Sequence, residues 1–386
     1  MPGPTYTPAE LLSRLVAFDT TSHKSNLAIA GFIEDYLGQH GVTSARVTSE
    51  DGLKANLFAT IGPAGKSGIA LSGHTDVVPV DGQTWDSEPF MLRAHGGRFY
   101  GRGACDMKGY LACVLAAVPN FKRAKLKTPI HIAFSYDEEV GCLGVRPLIA
   151  EFGKGLVKPR LVIVGEPTSM QVVDAHKGPV RWQVEVTGRA AHSSMAHLGV
   201  NAITYAARLI SELARIENEL KVSTRDDRFD PPFVTLQVTK LEGGTASNII
   251  PIFCRFGFEV RALPGLDIDA LESRLTRFAD TECLPEMLAV APESAITITR
   301  ANTVPPFAAD PDSEITALAL QLTGQNRTHT VSYATEAGLF QSGGTQSIVC
   351  GPGDIAQAHT PNEWIAASEL DKCMAFLDRL TQWASA

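Results

Sequence analysis

Residues 70–79 read ALSGHTDVVP: an apolar run stops at Gly73, and His74 and Asp76 follow with one residue between them. Alone, a His-x-Asp pair is an ordinary polar turn at the end of a strand. Other groups of ligating type give it company. GRGACDMKGYLACVLAAV places Asp106 after a Gly-rich loop, directly before a helix; IHIAFSYDEEVGCLG ends a strand in Asp137, Glu138 and Glu139; LVIVGEPTSM ends another at Glu166; and QAHTPNEW puts His359 in a loop. In open α/β sheets that rim is where ligands bind, because loops and helix N-termini converge there. Asp106 also suits a helix N-cap, but a carboxylate has lone pairs enough to cap and to ligate at once. Successive residues of an extended chain point in opposite directions, so Glu138 and Glu139 divide the work: one can bind a metal while its neighbour faces the water to be activated. His74, Asp106, Glu139, Glu166 and His359 offer two imidazoles and three carboxylates, a set for two divalent first-row metals. Zinc is the first expectation, and cobalt or manganese would also be accepted. Three carboxylates against two dications leave one positive charge, which a bridging hydroxide would neutralise, in the manner of two-metal hydrolytic sites with ions roughly 3.5 to 4 Å apart. Asp76 then orients the His74 ring from behind.

These residues need a scaffold. From about residue 8 to 175 helical periodicity alternates with short apolar runs, the pattern of an α/β sheet with helices on its faces. NLFATI (56–61), IALSGH (69–74), IHIAFS (130–135) and LVIVGE (161–166) read as buried strands of a mostly parallel central sheet. GPAGKSG (62–68) contains Gly-Lys-Ser but lacks the first glycine of a phosphate-binding loop, since Thr60 occupies that place; it reads as a hairpin turn. From about 178 the texture changes to β-α-β-β-α-β, the split unit of ferredoxin-like α+β domains. After 301 the α/β texture resumes, with a helix near 313–323, a strand at 347–351 and a C-terminal helix from about 367. The expected organisation is a catalytic domain in two segments, 1–177 and 302–386, with a smaller domain, 178–301, inserted between them.

Length and composition agree with this. A chain of 386 residues exceeds what one core usually organises. A net charge of −8 without clustered Lys and Arg argues against a nucleic-acid or anionic-membrane surface. No apolar run is long enough to cross a bilayer, and the start, MPGPTYTPAELLSRLVAF, lacks the pattern of a signal peptide. It reads as the beginning of a helix, with Thr7 as N-cap, Pro8 in the first turn and Glu10 completing a capping box. Seven scattered cysteines without Cys-x-x-Cys spacing suggest reduced thiols in a cytoplasm.

From FDTTS (18–22) to AHTPNEW (358–364), the motifs resemble, in order and over nearly the whole chain, the M20 metallopeptidase and deacylase family. The resemblance implies that His74 and Glu166 hold one metal, Glu139 and His359 the other, and that Asp106 bridges them. It places Asp76 and Glu138 at the family's two catalytic positions, with Glu138 as general base. The inserted segment matches a lid or dimerisation domain, which implies a homodimer. There His192, in GRAAHSSMAH, matches a histidine that reaches the partner's active site. Asn248, in GGTASNIIP, and Arg261, in FEVRALPG, match substrate-contacting positions. Stretches such as VPVDGQTWDSEPF, YDEEVGCLG and CGPGDIAQAH are most similar to the branch acting on N2-acetyl-L-ornithine. The implied substrate is thus a small N-acyl amino acid, with succinyl-diaminopimelate desuccinylase, aminoacylase and dipeptidase activities as alternatives.

Overall fold

A computed structural model describes residues 3–386, and the chain divides into two compact units. The first comprises the residues through Ala175 together with Phe307–His329 and Thr335–Ala386. Its sheet runs, in spatial order, Ser44–Thr48, Ala55–Ile61, Ile130–Ser135, Ile69–His74, Leu161–Pro167, Gln346–Gly351, Val173–His176 and Phe307–Ala308. The four central strands, Ile130–Ser135, Ile69–His74, Leu161–Pro167 and Gln346–Gly351, are parallel, and antiparallel strands flank them. Ile69–His74, Ile130–Ser135 and Leu161–Pro167 are buried along their whole length, as expected when helices cover both faces of a parallel sheet. The helix Lys108–Arg123 lies inside this unit with Tyr110, Leu111, Val114, Leu115 and Val118 fully buried. Pro8–Val16 begins as expected: Thr7 and Glu10 form the reciprocal capping box.

One expectation is corrected. GPAGKSG is not a hairpin turn, because the strands on either side of it do not pair with each other. Ile130–Ser135 lies between them, antiparallel to Ala55–Ile61 and parallel to Ile69–His74. The segment crosses over that strand at the sheet edge. Gly68 sits so close to its start that a Cβ would lie 2.0 Å from the Pro129 carbonyl oxygen. Gly68 is therefore there for a close approach, while Gly62 (φ 107°) and Gly65 (φ 71°) serve left-handed backbone in the crossing.

The second unit comprises His176–Pro306 with Thr330–Ala334. Its sheet is wholly antiparallel, in the order Thr235–Gly243, Phe253–Ala262, Gly178–Thr187, Ala295–Thr303. With the helices Ala202–Ser223 and Ile268–Phe278 this is the β-α-β-β-α-β arrangement. Val180, Trp182, Val184 and Val186 are buried while Arg181 and Gln183 between them are exposed, so one face packs and one is solvated. Pairing with Gly178–Thr187 continues through Thr303, beyond the AITITR strand read from the sequence.

Candidate metal centre

The four parallel strands carry their carboxyl ends to one edge of the first unit, and the ligating residues collect there. His74 is the last residue of Ile69–His74 and Glu166 the penultimate residue of Leu161–Pro167. A glycine precedes each for a shared reason. The start of the helix Lys108–Arg123 crosses over both strands, so that a Cβ on Gly73 would lie 2.7 Å from the Met107 methyl. A Cβ on Gly165 would lie 2.2 Å from the Tyr110 ring. That crossing brings Asp106 over the strand ends. Asp106 is not the N-cap of the helix: Met107 holds that position, and the Asp106–Met107 peptide is cis.

The Asp106 side chain instead lies between two imidazoles. Its Oδ1 is 3.0 Å from His74 Nε2 and its Oδ2 is 3.2 Å from His359 Nε2. Around this axis, Glu166 Oε1 is 3.7 Å from His74 Nε2, and Glu139 Oε1 is 3.1 Å from His359 Nε2. Among the described residues, two groups of three have ligand atoms mutually within 4.8 Å: His74, Asp106 and Glu139, and His74, Glu138 and Glu166. Glu138 thus stands beside the His74 and Glu166 pair, and Glu139 beside the His74 and Asp106 pair while also reaching His359. The turn between them and the strand end needs Asp137 in the left-handed region, φ 54°.

The donors fit divalent metal ions. Glu166 Oε1 is buried with no hydrogen-bond partner, an arrangement that costs free energy unless something cationic faces it. Burial, and then the neighbouring Asp106 charge, pushes the Glu166 carboxyl well above the usual range; burial likewise raises Glu138 and takes Glu139 up to about 7. Asp106 goes the other way: burial opposes ionisation, but hydrogen bonds from His359 and His74 hold its carboxyl well below the ordinary value. The same bonds, Asp106 first and Glu139 second, raise His359 to about 10. Four crowded carboxylates whose cationic partners, among the described residues, are imidazoles form a site short of positive charge.

Asp76 has a wider task than orienting His74. His74 Nδ1 is 2.9 Å from the Asp76 backbone carbonyl oxygen and 3.5 Å from its carboxylate. The carboxylate accepts the backbone N–H groups of Glu138 and Glu139 at 3.1 and 3.3 Å and the Ser22 hydroxyl at 2.8 Å. It therefore fixes the loop that presents both glutamates. Glu138 also accepts from the Cys142 thiol at 3.2 Å. Two more buried carboxylates, Glu336 and Glu363, stand close to this centre without a role in the sequence pattern, although Glu363 lies inside QAHTPNEW. Glu336 accepts from Ser135 and Ser72, on two of the site-bearing strands, and burial raises it to about 7. A charged residue amid small and apolar neighbours, as in YATEAGLFQ, was the available signal.

His192, Asn248 and Arg261 belong to the second unit. His192 caps a short 3₁₀ segment, its Nδ1 2.7 Å from Ser194 Oγ, and the backbones of Ser193 and Asn248 are hydrogen-bonded at 3.0 Å, which makes His192 and Asn248 neighbours. Both are exposed. Arg261 donates from Nε to Glu259 at 2.6 Å, so its charge is partly committed within its own strand.

Comparison with known proteins places the chain among relatives of known kind. Residues 70–383 match the model of peptidase family M20/M25/M40. The chain is 35% identical over 373 residues to an acetylornithine deacetylase of Myxococcus xanthus, covering 95% of each chain. Its fold is similar to that of an M20 family metallo-carboxypeptidase from Sulfolobus solfataricus, with TM-score 0.77 at 18% identity over 99% of this chain and 100% of the other. A dinuclear metal binding M20 peptidase of Bacillus subtilis superposes with TM-score 0.68 at 15% identity, covering 97% of each.

Proposed function

Because the chain belongs to peptidase family M20/M25/M40, and is thus a metal-dependent amidohydrolase, we propose that it removes the acetyl group of N2-acetyl-L-ornithine, giving acetate and L-ornithine for arginine biosynthesis in the cytoplasm. The observation that carries the reaction class is Asp106 placed between His74 and His359, with Glu166 and Glu139 on the outer sides. On this reading His74 and Glu166 hold one divalent ion, Glu139 and His359 the other, and Asp106 both. Zinc suits the ligand set, as would cobalt or manganese. When bound, such ions acidify water and polarise the scissile carbonyl.

The chain's own residues supply the rest. Glu138, beside the His74 and Glu166 pair, takes the proton of the attacking water and passes it to the leaving α-amine. Its burial matches that work, since burial raises the carboxyl well above its usual range and so favours the protonated form that delivers the proton. Asp76 keeps Glu138 and Glu139 in register through their backbone amides. In the inserted domain, His192 contributes a donor to the carbonyl oxygen in the partner subunit of a homodimer, and Asn248 and Arg261 contact the substrate. An Arg fork matches a carboxylate.

The likeness to the Myxococcus deacetylase over nearly the full length of both chains supports the substrate. Assaying N2-acetyl-L-ornithine, N-succinyl-diaminopimelate, N-acetylmethionine and a dipeptide side by side tests it. The first is expected to give the highest kcat/KM; a preference for any other assigns the chain to a different activity of the same family.

A further inference from the structure

Glu363 lies four residues beyond His359 and is 1% exposed. Both its oxygens are fully engaged. Oε1 accepts the backbone N–H groups of Cys105 and Asp106 at 2.9 and 3.0 Å, and Oε2 accepts the Gly103 N–H at 3.0 Å and Arg102 Nη1 at 2.7 Å. Three of these four donors are main-chain amides of the loop that ends in Asp106. The Glu363 backbone carbonyl also accepts the Gly101 N–H at 2.9 Å. Arg102, itself 1% exposed, reaches back toward the His359 segment: Gln83 accepts from its Nη2 and donates in turn to the His359 carbonyl at 3.0 Å.

A buried carboxylate next to an acidic cluster is costly unless it has a structural task. Here the task is visible in the bonds. Asp106 has to present one oxygen to each imidazole, which fixes the direction of its Cα–Cβ bond within narrow limits. Its own helix does not cap through it, and the helix N-terminus alone does not set that direction. We infer that Glu363 is a positioning residue of the metal centre: it clamps the Gly103–Asp106 backbone to the segment carrying His359, so that the Asp106 carboxylate and the His359 imidazole move as one piece. The inference rests on the two-metal reading given above. Asp76 performs the matching task for the Glu138 and Glu139 amides, and the two clamps together fix both acidic loops.

The test is Glu363→Gln, which keeps the shape but sets an NH₂ donor against N–H donors on one side. In the folded variant, zinc affinity, measured by competition with a chromogenic chelator, is expected to fall about 10- to 100-fold, the span seen when an outer partner of a metal ligand is lost. At saturating zinc, kcat is expected to fall at least about tenfold while KM stays within about twofold. A merely structural role would lower the Tm and leave zinc affinity and kcat of the folded protein unchanged, and that result overturns the inference. If Glu363→Gln yields no folded protein, Glu363→Asp is measured instead. It keeps the charge but, one methylene shorter, cannot hold all four donors, and wild-type affinity and kcat in that variant overturn the inference equally. Absence of zinc binding in the unaltered protein would instead contradict the two-metal reading.

Discussion

The two halves of the centre share Asp106 but are built differently. His74 ends a fully buried strand and its side chain is 1% exposed, whereas His359 sits in a loop at φ 60° with 49% of its side chain exposed. Glu166, like His74, belongs to a strand of the sheet, while Glu139, like His359, belongs to a connecting turn. The sheet half is fixed by core packing, down to the glycines that admit the helix above it. The loop half is fixed by backbone N–H groups that donate to the carboxylates of Asp76 and Glu363. Rigidity of the first kind is inherited from the fold; the second kind has to be supplied by particular side chains. The centre is thus exposed at His359 and buried at His74.

The largest expected effect separates the two adjacent glutamates. Glu138→Gln should lower kcat by about 10³-fold or more, near the upper span for lost acid–base catalysis, with metal content unchanged by elemental analysis. Glu139→Gln should instead lose metal from the loop half. Retained turnover in Glu138→Gln would remove it as the base. Next, His74→Ala should abolish activity at any zinc concentration and lower Tm, since it empties a buried position. His359→Ala should leave Tm within a few degrees and regain part of its activity at high zinc. Equal behaviour of the two variants would erase the distinction between sheet and loop halves. Asp76→Asn should cost about 10- to 100-fold in activity with metal content near that of the unaltered protein, because it disturbs the Glu138 and Glu139 amides without removing a ligand.

The smallest effect concerns pH. In the metal-free protein burial takes Glu139 up to about 7 and holds Glu166 well above the usual carboxylate range, while Asp106 and Glu139 raise His359 to about 10, so at neutral pH the site holds protons that a metal must displace. Binding should release protons and weaken as pH falls from about 10 through 7, by about tenfold per pH unit for each proton displaced. Calorimetry in two buffers of different ionisation enthalpy checks this; binding heats independent of buffer would contradict it.

Most of the sheet half was legible in the sequence. An apolar run of strand length ending in Gly-His or Gly-Glu marks a buried strand reaching the rim, and His74 and Glu166 were read from that pattern. The loop half was legible only as residue types in motifs, because its geometry depends on partners far apart in the chain. Glu363 acts on amides some 260 positions earlier, and Glu336 on Ser72 and Ser135; no local periodicity reveals either. The same limit explains the corrected hairpin: glycines at 62–68 signal tight backbone, but whether a turn or a close approach demands it depends on which strand lies between. Asp76 was identified as a partner of His74, yet its carboxylate serves the loop after a different strand, a pairing that exists only once the sheet is assembled.

The central claim is that this cluster holds two metal ions that both serve hydrolysis. Titrating the metal-free protein with zinc while following acetate release from N2-acetyl-L-ornithine tests it most directly. The account predicts no turnover without metal and an activity plateau reached at two zinc ions per chain. Full activity in the stripped protein, or a plateau at one ion with no second binding event, would contradict it.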